Sequence, residues 1–303
     1  MKISEAIVEF LIEQRVRGNS SATYKYYEIC LESFRKYMKD CDVRDINLTK
    51  CKFYYLYLSD GNKNSVSVQT YIRGLRAFLK FLYDNEFIDV DICARFRLPK
   101  CTRNVIDVLS DEEIGRVFDV LSGENFLAVR NRLIISLMLD SGLRRHEVVS
   151  LALGDVHLEE RYLIVSGKGA KQRFVPFGSV TSDIIKKYLE LTFPDTRKID
   201  FRTSLIIKVS EIGEFTGITD TTLKQLFRAL KTRTGIKRLK AHLLRHTFAT
   251  RYLENGGNIY ALQAILGHTS LEMVKKYLHL ATNRIRADFP KFSPLDNMKK
   301  PPR

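Results

Sequence analysis

The chain has 303 residues, 45% of them hydrophobic and 28% charged, a composition of soluble globular proteins at a length that allows two domains with separate cores. No apolar run approaches the ~20 residues needed to span a bilayer, and the opening MKISEAIVEF carries acidic residues within its apolar periodicity, which excludes a secretory signal. The formal net charge is +15, with eighteen Lys and Arg against thirteen Asp and Glu in residues 1–103 and thirty-two against twenty-two beyond, so the excess suits a polyanion gripped by both halves.

The first hundred residues read as helices. Ile3, Ala6, Ile7, Phe10 and Leu11 form one apolar stripe; after Gly18-Asn19-Ser20, the series Tyr24, Tyr27, Leu31, Phe34 and Met38 forms a second. TKCKFYYLYLSD, ending at Gly61, is a third segment. Val68, Tyr71, Ile72, Leu75, Phe78, Leu79 and Leu82 make the most regular stripe. Four amphipathic helices with short joins predict a small bundle. ARFRLPKCTRN, residues 94–104, then breaks the pattern with Pro99 and four basic residues, and reads as a basic interdomain linker.

Beyond the linker, Ser110 and Glu113 form a capping box that opens a helix, and an apolar run covers Leu133 to Leu139. SGLRRHEVVSL is a turn feeding a helix. RYLIVSGKGAKQRFVPF alternates and breaks at Gly-Lys-Gly, as a two-stranded hairpin does. Helices are expected near 180–191 and 219–233, the second capped by Thr219 or Asp220. KAHLLRHTFATRYLENGG predicts a helix with Leu244, Phe248 and Tyr252 on its apolar stripe and a stop at Gly256-Gly257. A last helix is expected in SLEMVKKYLHL, opened by the Thr269–Glu272 capping box, with Tyr277 at the edge of its core stripe. The tail PKFSPLDNMKKPPR has no local structure to assign.

Several chemistries are excluded. The five cysteines, all within the first 101 residues, contain no Cys-x-x-Cys pair, and their odd number in a chain read as cytoplasmic argues for reduced thiols. All six histidines lie at or beyond His146. Gly167-Lys168-Gly169 is no P-loop, because a strand follows it; Lys168 is left as a turn lysine free to reach outward. His242 and His246 are one helical turn apart, yet the Glu of H-E-x-x-H is replaced by Leu243 and no third ligand is near, so no metal is expected. Nothing points to acyl transfer. What remains is an anion site: Arg144 at a helix start, where free backbone N–H groups favour anions, with Glu147 placed to steady a guanidinium.

Taken in order, SGLRRHEVVSL, VSGKGAKQRFVPF, AHLLRHTFATRYLENGG and LGHTSLEMVKKYLHL resemble the tyrosine recombinase (phage integrase) family. The spacings agree as well: 24 residues from Arg144 to Lys168, 3 from His242 to Arg245, 23 from Arg245 to His268, and 9 from His268 to Tyr277. The bundle resembles the family's core-binding domain only in size and place. His146, where many relatives carry serine, and Leu278, where a small or hydroxylated residue is commoner, are departures outside the implied catalytic set.

The resemblance implies a mainly α chain with four parts: a four-helix core-binding domain (residues 1–93), the linker (94–104), a mostly helical catalytic domain with a small hairpin or sheet (105–289) and a tail (290–303). It implies that Arg144 and Arg245 grip the non-bridging oxygens of a scissile DNA phosphate and that His242 and His268 complete the cradle. Glu147 orients it, Tyr277 attacks to give a 3′-phosphotyrosyl enzyme, and Lys168 protonates the leaving 5′-oxygen. No cofactor is expected. The implied partners are double-stranded DNA with inverted half-sites, clamped between the domains, and three further copies in a tetramer on two sites; the implied location is the cytoplasm, at the nucleoid. The chain starts at the core-binding bundle, without an arm-binding domain, which suggests a minimal Xer-like type or a small mobile-element integrase. A type IB topoisomerase-like relaxase and a catalytically silent DNA-binding regulator are the alternatives; the six residues Arg144, Lys168, His242, Arg245, His268 and Tyr277 argue against silence.

Overall fold

A computed structural model of the chain describes residues 1–98, 107–167, 171–193, 200–209 and 215–267. The chain divides into two compact units, Met1–Asn104 and Val105–Arg303. Lys168, His268 and Tyr277 lie outside the described residues, as do most of the linker, the expected last helix and the tail. No described helix is long and apolar enough to cross a membrane.

The first unit is built on α1 (Ile3–Val16), α2 (Ser21–Met38), α3 (Leu48–Asp60) and α4 (Ser65–Asp84). The starts of the last three are set chemically: the side chains of Ser20, Asn47 and Asn64 accept from the backbone N–H groups of Thr23, Lys50 and Ser67. All five expected residues of the α1 stripe are buried, as are Leu31, Phe34 and Met38 of α2. The α4 stripe buries Val68, Ile72, Leu75, Phe78, Leu79 and Leu82, while Tyr71 packs against the core only in part. Phe10 sits at the centre, edge-on to Tyr27, Phe78 and Phe81, contacts worth about 0.5–1.5 kcal/mol each beyond their burial. The bundle extends past the four expected helices. Ile92–Arg95 forms a short α5, Ile92 and Phe96 are buried in the same core, and the Arg76 guanidinium donates to the Phe96 carbonyl. Phe96, read from sequence as part of the linker, is thus packed into the bundle core, while Ala94 and Arg95 are exposed.

The second unit is organised around α7 (Phe126–Asp140), in which every residue from Leu133 to Met138 is buried. A helix apolar on all sides needs neighbours on all sides; α9 (Ser179–Thr192) and α11 (Ala241–Glu254) pack against it. Before it, α6 (Asp111–Val120) opens with the Ser110–Glu113 capping box, and after it comes the short α8 (Arg145–Ser150). The hairpin consists of β2 (Tyr162–Ser166) and β3 (Gln172–Pro176), with Val165 opposite Arg173; β1 (Val156–His157) adds a third antiparallel strand on the other side of β2. Alternation places Leu163, Val165 and Val175 in the core, and Arg173 shares the face of Val175. A second pair, β4 (Ile207–Val209) and β5 (Phe215–Gly217), was not visible in the sequence pattern. Thr219 caps α10 (Asp220–Thr234), and α12 (Ile259–Leu266) starts at Asn258 and stops at Gly267 in the left-handed region, φ +62°.

The α11 helix differs from its expected form. Leu244 and Phe248 are buried as the stripe requires, but so are Leu243, Arg245, Thr247, Ala249, Thr250 and Leu253. The reason is enclosure by α7, by α12 and by the chain entering this unit: Leu109 N–H donates to the Thr247 hydroxyl at 3.0 Å, and Arg251 donates to the Leu109 carbonyl at 3.0 Å. The turn between α7 and α8 depends on Gly142. Its φ is +63°, and a Cβ there would lie 2.4 Å from the Phe248 ring, so any other residue would meet both backbone strain and a clash with α11.

Candidate functional site

The site begins where α7 ends. Gly142 turns the chain so that its carbonyl faces α11, and Arg144 becomes the N-cap residue of α8. Three residues on, the Glu147 side chain turns back. Its Oε2 accepts the Arg144 backbone N–H at 2.7 Å, and its Oε1 accepts Arg144 Nη1 at 2.9 Å. One carboxylate thereby satisfies a helix-start N–H and fixes a guanidinium at the same helix start, where the macrodipole alone would disfavour a cation.

Glu147 is 0% exposed and holds a second arginine. From β3, Arg173 donates Nη1 to Oε1 and Nη2 to Oε2, both at 2.9 Å, a bidentate fork. Its Nε donates to the Ile265 carbonyl at 2.7 Å, in the last turn of α12. Burial by itself would push the Glu147 carboxyl up. The Arg173 hydrogen bonds, the Arg144 backbone N–H and the two guanidinium charges outweigh that and hold it down at about 2.

Arg245 reaches the same place from α11. Nη1 donates to the Gly142 carbonyl at 2.6 Å and Nη2 to the Leu266 carbonyl at 2.7 Å, one residue from the carbonyl that holds Arg173. Both guanidiniums therefore sit at the α12 C-terminus, where carbonyl dipoles favour cations. Gly267 ends that helix at the closest point: a Cβ there would lie 3.0 Å from Arg173 Cδ. On α11, His242 is exposed and His246 half-buried, with ring centroids 5.8 Å apart. Among the described residues, no three His, Cys, Asp or Glu side chains form a set of metal ligands.

The structure thus gathers Arg144, Glu147 and Arg245, with His242 on the helix that carries Arg245. It adds Arg173, which the sequence reading treated only as part of an alternating strand. The available signal was its parity with Val175 on the inward face, where an unpaired arginine is not tolerated. Two guanidiniums on one buried carboxylate, with the Arg245 guanidinium held by the Gly142 and Leu266 carbonyls beside them, leave a positive surplus, which is what a phosphate diester requires of its receptor.

Comparison with known proteins resolves the class. Residues 107–284 match the phage integrase family, and residues 5–98 match the phage integrase SAM-like domain. The chain belongs to the phage integrase family. It is similar to the tyrosine recombinase XerC of Halalkalibacterium halodurans, 30% identical over 91% of this chain and 93% of that one. It is also similar to the tyrosine recombinase XerD of Oceanobacillus iheyensis, at 29% identity, 95% of this chain and 98% of that one. The fold is shared with the Tn1549 transposon integrase, solved in complex with a circular intermediate DNA, at 19% identity and a TM-score of 0.74, covering 96% and 99% of the two chains. As a phage integrase family member of Xer-like type, the chain is a tyrosine recombinase, an enzyme of site-specific DNA strand cleavage and rejoining. The relatives, named recombinases along their full length, do not favour a relaxase or a silent regulator.

The Glu147 pairing has a stability consequence. The folded carboxyl sits at about 2 against an ordinary 4.5, so its contribution is complete above the unfolded value and is lost as pH falls through the folded one. The gap, at about 1.4 kcal/mol per pH unit, corresponds to ~3 kcal/mol. Denaturant unfolding should show the wild type losing that amount, relative to Glu147→Gln, between about pH 5 and pH 2. A constant difference between the two proteins across that range would refute the pairing.

Proposed function

We propose that this integrase-family chain cleaves a DNA strand by attack of Tyr277 on a phosphate held by Arg144 and Arg245, and rejoins strands by the reverse step. The observation that carries the reading is the arginine frame. Arg144 is fixed by a buried carboxylate, and the plane of Arg245 is fixed by two backbone carbonyls. Preoriented donors of this kind stabilise the extra charge that develops as phosphorus becomes five-coordinate, without having to reorganise at the moment of reaction.

In this mechanism the Tyr277 phenol gives up its proton to solvent as its oxygen bonds to phosphorus and the bond to the 5′-oxygen breaks, leaving a 3′-phosphotyrosyl link. Lys168, between β2 and β3 in the chain, gives its proton to the departing 5′-oxygen. His242, on α11, and His268, immediately after Gly267, complete the contacts to the non-bridging oxygens. Glu147 orients the arginines. The phosphotyrosyl ester retains the energy of the broken diester, so a free 5′-hydroxyl can reverse the step with no nucleotide or metal.

The DNA is taken to be a duplex with inverted half-sites, bound by a core-binding domain over residues 1–93 and a catalytic domain over 105–289, joined by the basic segment 94–104. Four copies would act on two such sites, in the cytoplasm at the nucleoid. The +15 charge supports a polyanionic partner, and the Tn1549 transposon integrase, which shares the fold, was solved in complex with a circular intermediate DNA.

Two measurements test this. A nicked duplex recovered from host genomic DNA by covalent capture should give a protein–DNA adduct in EDTA without nucleotide, and Tyr277→Phe should abolish the adduct with little change in non-covalent affinity. An adduct formed by the Phe variant would disprove the nucleophile. Second, Lys168→Ala should cleave ordinary DNA ~10²–10⁴-fold more slowly, yet cleave a duplex with a 5′-bridging sulfur near the wild-type rate, because a thiolate leaves without a proton. Arg245→Ala should be slow on both. Equal responses of the two variants to sulfur would reduce Lys168 to a phosphate contact.

A further inference from the structure

We propose that Arg173 is a positioning residue for strand cleavage: through the shared carboxylate of Glu147 it fixes the Arg144 guanidinium and ties strand β3 to the ends of α8 and α12. The inference rests on the reading of Arg144 as a phosphate-gripping residue.

Geometry carries it. Arg173 commits Nη1 and Nη2 to the two oxygens of Glu147 and Nε to the Ile265 carbonyl, and its side chain is 12% exposed against 27% for Arg144. Three directed hydrogen bonds turn the guanidinium plane toward the protein, so Arg144, not Arg173, offers its outer edge to a ligand. Glu147 Oε1 accepts from both guanidiniums, and the position of that oxygen sets where Arg144 Nη1 lies. Lysine could supply charge at this place but not the planar fork that orients both carboxylate oxygens.

The neighbouring strand makes the link functional. Arg173 pairs with Val165 in the ladder, and the hairpin closes with Gly167 N–H donating to the Lys171 carbonyl at 2.8 Å. The strand that anchors Glu147 therefore follows in the chain directly after the segment that contains Lys168. The same arginine reaches the last turn of α12, next to the carbonyl that holds Arg245. Loss of Arg173 would release three elements from one another while leaving each individually formed.

A pH signature separates positioning from simple support. The charged groups that pair with Glu147 are Arg144 on α8 and Arg173 on β3; Arg145 of α8 is paired with Asp220 of α10 at 2.7 Å, Arg245 of α11 donates to the Gly142 and Leu266 carbonyls, and His146 on α8 and His246 on α11 are the histidines of the same helices. With Arg173 removed, Glu147 is buried against one guanidinium and one N–H, and burial then raises its carboxyl. Protonation would release Arg144.

The test uses the full chain and the captured nicked duplex. Arg173→Gln should slow adduct formation by bound enzyme ~10²-fold, the scale of a misplacement remote from the reacting atoms. Its DNA affinity and salt dependence should stay at the wild-type level, and its rate should recover as pH rises from 6 to 9, where the wild type lacks that limb. Arg173→Lys should remain slow. Glu147→Gln combined with Arg173→Gln leaves no orphaned charge and should fold even if the single variant does not. It should be about as slow as Glu147→Gln alone and show no acid limb. Weaker binding with an unchanged cleavage rate once bound would make Arg173 a phosphate contact and overturn the inference. So would a wild-type rate for Arg173→Lys, or losses that multiply in the double variant. A wild type that forms no adduct overturns the proposed function itself; a wild-type adduct with unimpaired Arg173 variants overturns this inference alone.

Discussion

A carboxylate buried without solvent must be paired, and Glu147 is paired twice. That requirement organises the rest of the site. The oxygens of Glu147 can accept from Arg144 and Arg173 together only if the α8 start, strand β3 and the end of α12 occupy fixed relative positions. Breaking one member of such a buried set costs about 3–5 kcal/mol, because the others are left desolvated and uncompensated. The arrangement is thus stiff where a phosphate receptor has to be stiff.

The helices around it serve the same end. Arg245 is buried on α11 because that helix is enclosed by α7, α12 and the chain at Leu109, and its guanidinium is paired with the carbonyls of Gly142 and Leu266. Two glycines, Gly142 and Gly267, hold the left-handed backbone that other residues rarely adopt, and at Gly142 a Cβ would also meet the Phe248 ring. The proposed phosphate site is held in place by turns and helix ends as much as by charged side chains.

Local signals in the sequence were sufficient for much of this. The Ser110–Glu113 box, the Thr219 cap and the alternation on either side of Gly167 act within a few residues, and the structure has the corresponding helices and hairpin. The Arg144–Glu147 spacing of three likewise let one element pair with itself. Arg173 was out of reach because its partner lies 26 residues away on another element, and strand parity says which face it takes but not what waits there. Helix α12 has eight residues, too few for a period to emerge, and β4 and β5 have three each. Phe96 looked like part of a basic linker because its neighbours are charged; its burial is decided by Ile92 and by Arg76 on α4. The stripe on α11 was read as one face because Arg245 and Thr247 are polar, whereas each finds a hydrogen-bond partner inside.

The central claim is that Glu147 is an ionised, doubly paired carboxylate, and the most direct measurement is its own titration. Carbon-13 spectra of glutamate side-chain carboxyls, with the Glu147 signal assigned by its loss in Glu147→Gln, follow that group alone. The account predicts that this signal stays at its ionised position down to the pH at which the exposed glutamates are half-protonated, near 4.3. A Glu147 signal that titrates together with them, or above them, would contradict it.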